Sequence, residues 1–142
     1  MIKKIDHLAV AVADLDREIE RYRNIPGFKF LGTEVVQEQQ VKVAFFAVGD
    51  IHIELTAPTS EESPVAKFLR KRGGGLHHIA YEVDDLENAI KGFLDQGIKM
   101  INQTPRRGAG NSRIAFVHPT GFSGVLVELK EKPRKEPTAA KD

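Results

Sequence analysis

The feature that most constrains the fold is an internal repeat. Ile5-Asp6-His7-Leu8-Ala9-Val10 matches Leu76-His77-His78-Ile79-Ala80-Tyr81, so His7 and His78 occupy equivalent positions. Four further blocks match in the same order with short gaps, and the last of them aligns Glu54 with Glu128. Chance similarity between short apolar runs does not produce five blocks in one order. The sequence therefore predicts two copies of one supersecondary unit.

Each copy has the pattern of a strand, a helix and three more strands. Alternating apolar residues predict the strands, and Asp14 and Asp85 stand where helix N-caps are expected. The predicted strands lie near 5–12, 28–36, 41–48 and 51–57 in the first copy, and near 76–83, 98–104, 113–117 and 124–129 in the second. A linker helix is predicted to begin at Ser63-Pro64 and to end at the three glycines 73–75.

The two copies should form one domain, because a unit of about 55 residues is too small to bury a sheet face alone. We expect an α+β fold over residues 1–130, in which two βαβββ modules (4–58 and 76–130, joined by the linker 59–75) form a curved mixed sheet around a metal site. Residues 131–142 contain Pro133 and Pro137 and no apolar pattern, so this tail is predicted to be disordered.

Composition narrows the classes of function. The 142 residues include 21 basic and 20 acidic side chains, and a net charge of +1 gives no electrostatic footprint for nucleic acid. The absence of Cys excludes a disulfide scaffold, a Cys-ligated zinc site and a thiol nucleophile. No apolar run approaches the ~20 residues of a membrane helix, and the N-terminus does not read as a signal peptide. We therefore expect a cytoplasmic protein with no nucleic-acid or membrane partner.

Strand alternation places the repeated polar residues on one face of the sheet. In the first strand of each copy, His7 and His78 lie opposite the residues that would pack under a helix. In the last strand, Glu54 and Glu128 also lie opposite the apolar face, so a pseudo-twofold arrangement would gather all four on one concave surface. Two imidazoles and two carboxylates suit a divalent ion such as Zn, Co, Mn, Ni or Fe. Incomplete protein coordination would leave room for water or substrate.

We assign structural roles to the remaining histidines and to two phenylalanines. His77 should point to the helix side, His52 should fill space beside the site, and His118 should order a turn. Phe45 and Phe116 are partners in the repeat and are predicted to be core residues.

The segment from Arg106 to Arg113 is a candidate anion site. It contains Arg106, Arg107 and the stretch Gly108-Ala109-Gly110, and flexible backbone N–H groups with Arg side chains can hold a phosphate or carboxylate. We take Arg106 and Arg107 as candidate substrate-binding residues, with an exposed basic hairpin as the alternative.

These motifs resemble the vicinal oxygen chelate (glyoxalase/bleomycin resistance/dioxygenase) superfamily, whose members pair βαβββ modules around a metal. Within it the sequence is similar to the methylmalonyl-CoA epimerase family. The similarity spans residues 5–131 and rests on the stretches 5–12, 62–69, 75–85, 105–110, 114–119 and 124–129. The linker at 62–69 and the Arg-Gly loop at 105–110 are specific to the epimerases, whereas the strand motifs mark only the superfamily.

The resemblance implies metal-dependent interconversion of the two C2 epimers of methylmalonyl-CoA, by abstraction of the α proton and reprotonation through a metal-stabilised enolate. It implies one divalent metal ion, with cobalt preferred and manganese, zinc, nickel or magnesium as alternatives, held by His7, His78, Glu128 and, at the fourth position, Glu54. Glu54 and Glu128 are the expected acid/base pair, because Val43 stands where some relatives carry a catalytic Glu. An acyl-CoA substrate and a homodimer are implied as well.

Three alternatives remain open. A glyoxalase I-type lactoylglutathione lyase also has a His/Glu/His/Glu set, although the linker and the loop at 105–110 argue against it. An extradiol-type oxygenase would use Fe(II) held by two His and one Glu. A non-catalytic small-molecule-binding protein of the same fold would need the pocket but not both Glu54 and Glu128.

Overall fold

The computed structural model describes residues 1–132, which form eight β-strands and three α-helices. In chain order these are β1 (Ile2–Ala11), α1 (Leu15–Arg23), β2 (Lys29–Val36), β3 (Val41–Val48), β4 (Ile51–Pro58), α2 (Pro64–Arg72), β5 (Gly75–Val83), α3 (Leu86–Asp95), β6 (Arg106–Arg107), β7 (Arg113–Val117) and β8 (Val127–Glu131). Glu131 ends β8 and so does not belong to a disordered tail. Residues 133–142 of the predicted tail lie outside the described residues.

All eight strands belong to one mixed, curled sheet in the order β2-β3-β4-β1-β5-β8-β7-β6. β1 pairs with β4 in parallel, and β5 pairs with β8 in the same way, so the two modules have the same internal topology. The antiparallel pairing of β1 with β5 joins the modules. The predicted α+β fold of two βαβββ units in a curved mixed sheet is therefore confirmed.

The helices begin where the sequence predicts. The side chain of Asp14 accepts a hydrogen bond from the backbone N–H of Arg17 at 3.1 Å, and Asp85 does the same for Asn88. Ser63 caps α2 with Pro64 as its first residue. These caps satisfy backbone donors that the first helical turn leaves without partners, which typically stabilises a helix by about 1 kcal/mol.

The two faces of the sheet have different roles. Against one face, α1 packs Leu15 and Ile19 onto Phe46 and Leu55, and α3 packs its own apolar side onto the second module in the same manner. Each such side chain contributes roughly 1.5–3 kcal/mol when it is removed from water. The concave face carries the polar residues together with Val36, Val41 and Val43, and α2 covers part of it through Val65.

The second module departs from the prediction in two places. No strand forms over 98–104, where the only pairing among the described residues is an isolated bridge from Met100 to Val117. The Phe116 N–H donates a hydrogen bond to the side-chain amide oxygen of Asn102. In a regular ladder, a backbone carbonyl of the neighbouring strand would accept this bond. The last strand begins at Val127 rather than at residue 124, because Ser123 and Gly124 have positive φ angles and form a turn.

Within residues 1–132, none of the helices is long and apolar enough to cross a membrane.

Candidate metal centre and active site

The four central strands of the sheet each contribute one polar residue to a common buried site. His7 comes from β1, Glu54 from β4, His78 from β5 and Glu128 from β8, and none is more than 7% exposed. On each strand, the apolar neighbours of this polar residue face the helices. Strand alternation therefore turns the four polar side chains to the concave face.

Three of the four residues surround one point. The Nε2 atoms of His7 and His78 lie 3.3 Å apart. The carboxylate of Glu128 lies against both rings, with one oxygen 3.4 Å from His7 Nε2 and the other 3.6 Å from His78 Nε2. One ligand atom from each of these three side chains lies within 4.8 Å of the others.

Glu54 lies on the other side of the His7 ring. Its Oε2 atom is 3.1 Å from His7 Nδ1, but Asp6 Oδ2 is closer to the same nitrogen, at 2.8 Å. The single N–H group at His7 Nδ1 cannot donate a good hydrogen bond to both carboxylates. Among the described residues, Glu54 Oε2 accordingly accepts no hydrogen bond although it is buried.

The residue that precedes each histidine is the extra residue of a β-bulge. In the ladder between β1 and β5 the register shifts at Asp6 on one strand and at His77 on the other. A bulge breaks the strict alternation of side chains and re-aims the extra residue. Both Asp6 and His77 consequently lie beside the histidine that follows them.

The predicted orientation of His77 was therefore wrong. Its side chain lines the concave cavity instead of facing a helix on the opposite side of the sheet. Its Nδ1 atom lies 2.8 Å from His78 Nδ1, and its ring packs edge-on against Phe68 of α2 at 5.0 Å. The bulge is the physical reason, because simple alternation would have placed adjacent residues on opposite faces.

Sequence reasoning also missed Asp6 and Lys130. The ammonium group of Lys130 lies 3.3 Å from Asp6 Oδ2, which also accepts the hydrogen bond of His7. Lys130 stands two residues after Glu128 on β8 and lines the same cavity, so the alternation that predicted Glu128 would also have predicted Lys130.

Burial governs the proton affinity of the site. It raises the pKa of Glu128 to about 7, an effect to which Glu54 adds and which His7 opposes. Burial raises the pKa of Glu54 and lowers that of His78 well below its usual range. For His7, burial lowers the pKa, but the charge of Glu128, the hydrogen bond to Asp6 and the charge of Glu54 outweigh it, and its pKa is raised.

The donor set fits a divalent cation. Imidazole nitrogens and carboxylate oxygens are ligands of borderline and hard ions, and the spacing of His7, His78 and Glu128 suits bonds of about 2.0–2.2 Å to a single ion. The unsatisfied buried oxygen of Glu54 lies on the Nδ1 side of His7, so Glu54 would have to turn toward the Nε2 atoms to become a fourth ligand. A positive ion would favour the charged form of both carboxylates, which burial otherwise opposes.

The site opens into a cavity of about 200 Å³ with mostly apolar walls. The walls come from β2, β3, α2, the segment 101–116 and the residue before β8. The apolar residues among them include Val36, Val41, Val43, Val65, Ile101, Ile114, Phe116 and Leu126. Phe116 packs edge-on against His78 at 5.3 Å, so it lines the site and is not solely a core residue as predicted. Phe45 is partly buried near α2 on the same face.

The remaining sequence candidates lie outside this cavity. Arg106 and Arg107 are exposed, and the backbone N–H of Arg107 donates a hydrogen bond to Glu38. Their assignment to substrate binding stays a prediction. His52 lines a separate groove together with Lys130. His118 caps a short 3₁₀ helix (Pro119–Phe122) by accepting from the N–H of Thr120, which is the turn-ordering role expected.

The fold and this site define a chain of the vicinal oxygen chelate type. The protein belongs to the glyoxalase/bleomycin resistance protein/dioxygenase superfamily, which residues 6–116 match. The predicted superfamily is thereby confirmed.

Its relatives narrow the class further. YqjC of Bacillus subtilis is 42% identical over 130 residues, covering 92% of this chain and 93% of that protein. The mitochondrial methylmalonyl-CoA epimerase of Dictyostelium discoideum is 37% identical over 132 residues, covering 92% and 80%. The lactoylglutathione lyase of Salmonella typhimurium is 31% identical over 133 residues, covering 90% and 94%.

Solved structures of epimerases have the same fold. Methylmalonyl-CoA epimerase in complex with methylmalonyl-CoA and NH4+ gives a TM-score of 0.89 at 38% identity, covering 96% of this chain and 99% of that one. The epimerase of Mycobacterium tuberculosis gives 0.89 at 40% identity, covering 94% and 91%. The chain is thus a homologue of racemase/epimerase-class isomerases over most of its length.

Proposed function

We propose that this protein is a metal-dependent methylmalonyl-CoA epimerase. The observation that carries the proposal is the buried cluster of His7, His78 and Glu128 with Glu54 beside it, at the base of an apolar cavity. The similarity to epimerases, one of which has been solved with methylmalonyl-CoA, supports this substrate class.

The chemistry of the reaction explains the residue types. The α proton of a thioester is weakly acidic, and negative charge develops on the thioester oxygen as that proton leaves. A divalent cation held by His7, His78, Glu128 and Glu54 would supply positive charge next to that oxygen. The apolar walls of the cavity exclude water, which strengthens this electrostatic effect.

Inversion at C2 requires a proton acceptor on one face of the carbon and a donor on the other. Glu54 and Glu128 come from different modules and lie on different sides of the His7 ring. We assign one carboxylate to removal of the C2 proton and the other, in its protonated form, to its replacement on the opposite face. Each carboxylate would have to detach from the cation to exchange its proton, because the cation favours the charged form. Val43 faces the cavity and has no group that could take either role.

The principal alternative is a lactoylglutathione lyase, because the Salmonella enzyme is 31% identical over most of both chains. That reaction also removes a proton from a carbon next to a carbonyl group, but it returns a proton to the neighbouring carbon. The two activities differ in substrate, so they can be separated directly.

The decisive experiment follows solvent deuterium into C2 of methylmalonyl-CoA. Protein loaded with Co²⁺ is incubated in D₂O with each pure epimer, and isotope content and configuration at C2 are measured together. Parallel assays measure isomerisation of the glutathione thiohemiacetal and oxygen uptake. Exchange coupled to inversion supports the proposal, whereas activity only on the thiohemiacetal, or only oxygen uptake, would replace it.

We also expect the enzyme to act as a homodimer in the cytoplasm, as the family resemblance implies. Light scattering on the purified protein tests the assembly, and cell fractionation tests the location.

A further inference from the structure

We infer that Asp6 and His77 are a matched pair of positioning residues, each fixing the tautomer and the ring orientation of the histidine that follows it. The inference rests on the proposed metal centre. Its basis is a pair of equal contacts, because His7 Nδ1 lies 2.8 Å from Asp6 Oδ2 and His78 Nδ1 lies 2.8 Å from His77 Nδ1.

The two contacts occupy equivalent places in the repeat. Asp6 and His77 align with each other in the two copies, and both are the extra residue of a bulge between β1 and β5. The duplicated bulge thus delivers a hydrogen-bonding partner to the same nitrogen of each histidine. The partner differs in chemistry, with a carboxylate in the first module and an imidazole in the second.

The tautomers follow from which nitrogens face the centre. The Nε2 atoms of His7 and His78 point at each other and at Glu128. A histidine that binds a cation through Nε2 carries its proton on Nδ1 and donates it to a neighbour. Asp6 accepts that hydrogen bond from His7. His77 accepts the one from His78 through its own Nδ1, which requires the His77 proton to be on Nε2.

Both partners are themselves held in place. Lys130 contacts Asp6 at 3.3 Å, and Phe68 of α2 packs edge-on against the His77 ring at 5.0 Å. Neither Asp6 nor His77 needs to contact the metal or the reacting carbon for this role. Their effect is expected on metal affinity and ligand geometry.

The first test is titration with Co²⁺ alone, without substrate. His77→Phe keeps the ring but removes the acceptor, with His118→Ala as control because His118 caps a turn away from the site. Asp6→Leu removes the other acceptor, with Lys132→Met as control because Lys132 is exposed and pairs with Glu82. We expect each acceptor-removing variant to lose about 10- to 100-fold in Co²⁺ affinity, with an altered visible spectrum. Asp6→Asn and His77→Gln, which retain an acceptor oxygen, should recover part of the loss.

The second test reads the tautomers directly in the unmodified protein. After loading with Zn²⁺, nitrogen-15 spectra should show Nδ1 protonated in His7 and His78, and Nε2 protonated in His77. A proton on Nδ1 of His77 would overturn the inference even if the variants failed to fold. Equal Co²⁺ affinity in wild type, His77→Phe and Asp6→Leu would also overturn it. A wild-type protein that bound no Co²⁺ would instead remove the proposed metal centre, and the inference with it.

Discussion

His7 and His78 are 71 residues apart in the chain, and their Nε2 atoms lie 3.3 Å from each other at the junction of the two modules. The antiparallel pairing of β1 with β5 creates this relationship, since it places the first strand of each repeat next to the other. Neither module alone holds both imidazoles. The candidate metal centre is therefore a property of the assembled domain.

Replacement of either histidine by Ala should lower metal content and epimerase activity together. Apparent binding free energies of structural zinc sites are roughly 10–16 kcal/mol, so loss of one ligand in four should cost on the order of 3 kcal/mol, or about 100-fold in affinity. Co²⁺ titration of His7→Ala and His78→Ala measures this. His118→Ala is the control, because that residue only caps a surface turn. Full metal occupancy in the double variant would contradict the assignment.

The two carboxylates should have separable effects on proton exchange. Glu54→Gln and Glu128→Gln should each lose more in kcat than in substrate affinity, because the proton moves only in the transition state. The variants should also differ in which epimer's C2 proton exchanges with D₂O. If Glu54→Gln retains near-normal exchange and inversion from both epimers, Glu54 does not transfer a proton and a water or another residue completes the reaction.

Metal affinity should rise as the pH is raised through about 7. Burial raises the pKa of Glu128 to about 7, so below that pH a proton occupies the carboxylate and competes with the cation. The raised pKa of His7 acts in the same direction, whereas the lowered pKa of His78 keeps that ring free of competing protons.

Calorimetric titration with Co²⁺ in two buffers of different ionisation enthalpy counts the protons released on binding. Below pH 7, wild type should release about one proton more than Glu128→Gln, whose amide does not titrate. Equal proton release by the two proteins would mean that Glu128 is already ionised before the metal binds.

The repeat predicted the faces of the strands because alternation holds along most of each strand. Glu54 and Glu128 lie where it places them, opposite Leu55 and Leu129, which pack under the helices. The prediction failed for His77, where a bulge breaks the alternation. A bulge depends on the register between two strands 71 positions apart, and local sequence does not record that register.

The missing strand near residues 98–104 has a similar explanation. The apolar residues there satisfy the pattern of a strand, but the backbone N–H groups of Ile101 and Asn102 both donate to the carbonyl of Phe116, and the Asn102 side chain takes the return hydrogen bond. The Asn102 side chain thus replaces a backbone acceptor of the β-ladder. Such a local competition is set by tertiary contacts and not by the intrinsic preference of the segment.

Removal of the charge of Lys130 should strengthen metal binding. The Lys130 side chain is only 14% exposed and lines the same cavity as the proposed ligands, and its ammonium group contacts Asp6 at 3.3 Å. Like charges in a partly buried site repel each other more strongly than in water, and salt reduces the repulsion. Lys130→Met removes the repulsion between Lys130 and the cation. Asp6 then keeps only its hydrogen bond from the N–H of His7.

We therefore expect Lys130→Met to bind Co²⁺ about 5- to 10-fold more tightly than wild type at low ionic strength, with a smaller gain at high salt. Lys132→Met is the matched control, because Lys132 lies two residues further along, is more exposed and pairs with Glu82 at 2.9 Å. Its affinity for Co²⁺ should stay within about 2-fold of wild type, since exposed charges are well screened. Weaker binding by Lys130→Met would show that the Asp6–Lys130 contact is needed to hold Asp6 against His7, and that this role outweighs the repulsion.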